Sequence, residues 1–64
     1  MDLLTETKLL AGRLLTSRQD IERASAVIGC TTRWYDKVMR GDIRDPGVRR
    51  IQALHDYLTA RKAA

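Results

Sequence analysis

Gly29 and Gly41 stand twelve residues apart, and the segment between them, Cys30-Thr31-Thr32-Arg33-Trp34-Tyr35-Asp36-Lys37-Val38-Met39-Arg40, constrains the fold more than any other stretch of the chain. Threonine oxygens at its start can accept the free N–H groups of a first helical turn. Glycine on either side tolerates the left-handed conformation that closes a helix. Tyr35 and Val38 lie three residues apart and share a face, so Thr32, Arg33, Asp36, Lys37 and Arg40 are thrown together onto the other one. The segment reads as a short helix that packs by one side and offers cations with the other.

The flanking sequence is helical in period as well, with no alternation of the kind a strand needs. Leu3, Leu4, Leu10, Ala11, Leu14 and Leu15 form an apolar stripe over residues 3–15. Asp2 is placed to cap this first helix, and Glu6 suits its positive end. Gly12 in its interior costs about 1 kcal/mol relative to alanine, and a close helix approach there is one explanation. Thr16–Asp20 is a break rich in capping residues, with Ser17 and Asp20 both eligible to start the second helix. That helix carries Ile21, Ala24, Ser25 and Ile28 on one face, and the small Ala24 and Ser25 let a neighbour come close. The third helix begins at Thr31 or Thr32 and ends near Arg40. Gly41–Arg44 is a loop from which Ile43 returns to the core. Asp45-Pro46 signals a fourth helix, with Asp at the cap and Pro at the first position. Val48, Ile51, Leu54 and Leu58 form its inner face, His55 lies on its flank, and it frays within residues 59–64.

Sixty-four residues make one domain, 1–64. Such a chain buries only about 60% of its unfolded surface. Its single cysteine cannot form an internal disulfide, and one cysteine fits a reducing, cytoplasmic setting. No apolar run approaches the roughly 18–20 residues of a membrane helix, and the acidic N-terminus lacks the form of a signal peptide. The net charge is +4, and it is unevenly spread. Asp2, Glu6 and Lys8 make the start slightly acidic, whereas Arg33, Lys37, Arg40, Arg44, Arg49 and Arg50 crowd the middle against Asp36, Asp42 and Asp45. Arginine outnumbers lysine heavily, and its planar fork suits phosphates and guanine edges. A basic, clustered, arginine-rich distribution is the electrostatic footprint of a nucleic-acid binder, though a merely solvated basic face has the same composition.

The second helix, a glycine turn and the third helix together, about residues 17–41, make a helix-turn-helix. Ser25, Gly29, Cys30, Thr31, Tyr35, Val38, Gly41 and Pro46 carry a resemblance over residues 17–58 to the lambda-repressor/Cro-type (XRE-like) helix-turn-helix domains, especially small phage or prophage regulators. Two positions depart from that pattern: Ile21 stands where a Gln is common, and Ser25 where Ala is usual. The chain ends after its fourth helix, where many members add a fifth. The resemblance implies a compact all-α, four-helix domain that binds double-stranded DNA in a sequence-specific way. It also implies a homodimer on a palindromic operator, in the cytoplasm of a bacterial or phage-infected cell.

Carried onto this chain, the base-reading residues are Thr32, Arg33, Asp36, Lys37 and Arg40, with Arg33 the candidate for two-point contact with guanine. Asp36 would either steady Arg40 one turn on or accept a hydrogen bond from a cytosine amine. The phosphate-facing residues are Arg18 and Gln19 at the second helix, Thr31 and Trp34 at the third, and Arg44 and Arg49 near the fourth. Trp34 has a second reading, as a packing residue at the domain rim or a dimer contact. Met39 is expected against the following loop or a partner, Cys30 as a small buried apolar residue, and His55 as an edge-of-core histidine. No nucleophile-base set, phosphate-cradling glycine loop, metal-ligand cluster or cofactor motif is present, so neither an enzyme nor a small-molecule substrate is expected. The competing readings are an antitoxin-like or adaptor surface for an acidic protein, and non-specific packaging of nucleoid DNA.

Overall fold

A computed structural model describes residues 2–43 and 45–63. The chain is all-α, with four helices: α1 Leu3–Leu14, α2 Arg18–Ile28, α3 Thr32–Arg40 and α4 Val48–Ala63. Each of the first three starts on an oxygen acceptor. Asp2 Oδ1 accepts from Thr5 N–H at 2.7 Å, Ser17 Oγ from Asp20 N–H at 3.1 Å, and Thr31 Oγ1 from Trp34 N–H at 3.1 Å. The choices left open in the sequence thus fall to Ser17 and Thr31. The bond from Thr5 N–H is also the main reason the Asp2 carboxyl sits below its usual pKa.

The ends of α2 and α3 are built alike. Gly29 and Gly41 sit at φ 77° and 78°. Gly29 N–H donates to Ala26 O and Cys30 N–H to Ser25 O at 2.9 Å; Gly41 N–H donates to Val38 O and Asp42 N–H to Lys37 O at 2.9 Å. This double closure satisfies the last carbonyls of each helix and needs a left-handed residue just past it. Two successive helices are thereby cut to 11 and 9 residues by local chemistry alone.

The core draws on every helix: Ala11 from α1, Ala24 from α2, Trp34, Tyr35 and Val38 from α3, and Ile51, Leu54 and Leu58 from α4, with Leu15 just beyond α1. The α1–α4 pairing is the most extensive, and α2 packs on both α4 and α3. Arg61 of α4 reaches Asp20 of α2 at 3.2 Å and holds its carboxyl below the usual range. Ile43 returns to the core edge, as expected, and Ser25 is buried where α2 meets its neighbours.

Several expectations need correction. α1 stops at Leu14: Leu15 still donates to Ala11 O, but its backbone has left the helical region at ψ 78°. Nothing lies within 4 Å of a Cβ built on Gly12, so no close helix approach explains that residue. Asp45-Pro46 does not start α4. Asp45 Oδ1 accepts from Gly47 N–H at 3.3 Å, and Gly47 takes φ 87°, a conformation outside the helix. The helix opens one residue later, with Gly47 O accepting from Ile51 N–H at 3.1 Å. Val48, expected on the inner face, is 76% exposed. It borders an open apolar groove with Leu3, Leu4, Pro46 and Ile51 that nothing in the described residues fills.

Thr7, absent from the apolar stripe read in the sequence, is buried in α1 with its Oγ1 lacking a hydrogen-bond partner among the described residues. A buried, unpaired hydroxyl costs about 1–3 kcal/mol of desolvation. Thr7→Val keeps the shape and removes that oxygen, so it should raise stability by about 1 kcal/mol, read as a higher urea midpoint at unchanged slope.

Candidate functional site

With Tyr35 and Val38 turned inward, the outer side of α3 forms one wall of a broad, open concavity. Arg18, Thr32, Arg33, Asp36, Lys37, Met39 and Arg40 line it. All five residues expected to read bases are brought together here, and Arg18 joins them from the start of α2. Arg33, Lys37 and Arg40 are exposed, while Thr32 and Asp36 are partly covered. Among the described residues, no carboxylate pairs with Arg33 or Lys37. Four cations and one acid line this concavity, and Arg33 and Lys37 are the two cations there that no carboxylate meets among the described residues.

The ion pairs differ from the expected ones. Asp36 does not steady Arg40. Arg18 donates from Nη1 to Asp36 Oδ1 at 3.1 Å and from Nη2 to Oδ2 at 3.2 Å, a parallel two-point bond from α2 to α3. Arg40 instead pairs with Asp42 past the helix end, Nε to Oδ2 at 3.3 Å. The hydrogen bond and charge of Asp36 push the Arg18 pKa further up, so its guanidinium stays fully charged. Burial raises the Tyr35 pKa, with a smaller push from Asp36, and keeps it a neutral core residue.

The residues expected at phosphates are more scattered. Gln19 and Thr31 are exposed, and the Thr31 hydroxyl already caps α3. Arg49 is exposed on a second surface, beside Pro46, Gly47 and Val48. Arg44 lies outside the described residues. Trp34, expected at a phosphate or packed at the rim, is 9% exposed and belongs to the core, so it packs and does not reach a phosphate. Its ring carries the Arg50 guanidinium at 5.8 Å from the centroid, a cation–π contact that joins the first turn of α4 to α3. The sequence does not single out Arg50. Nothing local sets it apart from Arg49, and only the docking of α4 on Trp34 does so.

Cys30 is half-buried against the core. Burial raises its thiol pKa, with the Ser25 hydroxyl and Arg50 pulling the other way. His55 Nε2 lies 3.7 Å from Glu6 Oε2 across the α1–α4 contact, at the core edge as expected. Among the described residues there is no group of three or more His, Cys, Asp or Glu placed to hold a metal ion, and no helix long and apolar enough to cross a membrane. No protein family, characterised protein or solved structure matches this chain.

Proposed function

We propose that this chain is a sequence-specific double-stranded DNA-binding regulator of the repressor/Cro type, acting as a homodimer on a palindromic operator in the cytoplasm of a bacterial or phage-infected cell. The observation that carries the reading is the outer face of α3, where Arg33 and Lys37 are exposed and free of carboxylates among the described residues. A rod of helix with cations along its free side is what a major groove admits. The resemblance to lambda-repressor/Cro-type domains over residues 17–58 supports the same placement. Arg33, Thr32, Asp36, Lys37 and Arg40 then face base edges. Arg18, Gln19, Thr31 and Arg49 are then the candidates for phosphate contacts, which position the domain without reading sequence, and Arg44 is a candidate from the sequence alone.

One such helix contacts too few base pairs to mark a site in a genome, and two-fold pairing onto half-sites about 34–36 Å apart is the usual remedy. Each copy measures 30 × 24 × 18 Å, a size of the same order as that half-site spacing.

Selection of bound sites from a pool of random duplexes tests the whole reading. The expected product is a palindrome, with two copies of the chain sedimenting on one duplex. Equal recovery of every sequence would replace this reading with nucleoid packaging. No retention of any duplex at low salt would leave the adaptor reading in its place.

A further inference from the structure

The Arg18–Asp36 bond is not accounted for by folding. Its side chains are 55% and 39% exposed, and exposed ion pairs add little to stability. Nor is it a default of the local sequence. Arg40 stands one turn after Asp36, in the position that usually pairs with it, and yet bonds to Asp42. Asp36 is the one carboxylate lining the cationic concavity, where it faces whatever anion the surface meets. Left alone there, it would repel phosphate. Held by Arg18 at both oxygens, it is neutralised and fixed in plane, and each oxygen keeps a lone pair for a further donor.

A carboxylate fixed in this way is selective in a major groove. Guanine and thymine offer acceptors there, which it repels. Adenine offers an amine with the N7 acceptor beside it. Cytosine offers the N4 amine with no acceptor on the same base. We propose that Arg18 and Asp36 work as one reading unit, in which Asp36 accepts from a cytosine amine and Arg18 is its positioning residue. Arg18 therefore leaves the set of phosphate contacts. It acts through Asp36 and governs preference at one base pair instead of affinity for all duplexes. The inference rests on the DNA-binding reading above; it decides between the two roles the sequence left open for Asp36 and adds Arg18 as the residue that positions it.

The test uses the full chain and the duplex recovered by site selection, with each position changed in turn and binding measured for the parent, Arg18→Ala, Arg18→Lys, Asp36→Asn and the Arg18→Ala/Asp36→Asn pair. The parent should favour cytosine at one position of each half-site by about tenfold. Arg18→Ala and Asp36→Asn should each reduce that preference to within about threefold while leaving other positions unchanged, and the pair should go no further than either alone. Arg18→Lys should restore only part of the preference, because an ammonium cannot hold both oxygens in plane. Far-UV circular dichroism of each variant should match the parent.

Two results would overturn the proposal. If Arg18→Ala weakens every duplex by the same factor and lowers the salt slope by about one, Arg18 is a phosphate contact after all. If preference collapses at all positions together, the pair merely holds α2 against α3. A parent chain that selects no sequence defeats the DNA-binding reading itself and this assignment with it, an outcome distinct from both.

Discussion

Leu58→Ala is expected to leave the chain largely unfolded at 25 °C. Leu58 has no exposed surface and belongs to α4, the helix that packs against both α1 and α2. Truncating a buried leucine costs about 2–5 kcal/mol, the lost transfer energy plus the cavity left behind. Domains below about 70–80 residues seldom draw more than about 3–5 kcal/mol from their core. The two quantities are of the same size, so one substitution is enough to remove the margin. The urea transition followed by circular dichroism should lose its native baseline. Leu9→Ala is the matched control. Leu9 is 50% exposed on α1, and its truncation should shift the transition only slightly. Equal losses at Leu9 and Leu58 would mean that the core described here is not the one that holds the chain together.

Arg33→Ala should have the second large effect. Arg33 is exposed at the second position of α3 and meets no carboxylate among the described residues, so its fork is available to the O6 and N7 acceptors of a guanine. Losing such a contact costs about 1–3 kcal/mol per half-site, roughly 5- to 150-fold, and it should relax preference at that base pair alone. Arg49→Ala, at a proposed phosphate contact, should weaken all duplexes alike. Both belong against a steep salt background. If a dimer neutralises on the order of six phosphates, affinity should fall about a thousandfold between roughly 50 and 200 mM salt. Titrations of one selected duplex with the parent and both variants across that range would check all three statements. An affinity indifferent to salt would contradict a phosphate-facing surface.

Much of the architecture was legible before any tertiary contact was known. The helices, their order and the two glycine closures follow from interactions that span at most five residues, from Ser25 O to Cys30 N–H and from Lys37 O to Asp42 N–H. The inward pair Tyr35 and Val38 fixed the outward set on α3 for the same reason, since helical geometry leaves no other arrangement. The start of α4 is not legible locally: Asp45-Pro46 is a strong cap signal, yet Gly47 supplies a left-handed turn that overrides it. Thr7 does not read as core because it carries a hydroxyl, although its spacing from Leu3 and Ala11 places it on the buried stripe.

The amino-acid order by itself determined where this chain is broadly helical, where α2 and α3 end and which side of α3 carries the cations, because all of these are settled within a turn or two of backbone. Only the tertiary structure decided that Asp36 binds Arg18 and not Arg40, that Trp34 lies inside beneath Arg50, and that Val48 stays uncovered. Those outcomes depend on how α2 and α4 seat against α3 and α1, and contacts between residues that are distant in the chain leave no periodic trace along it.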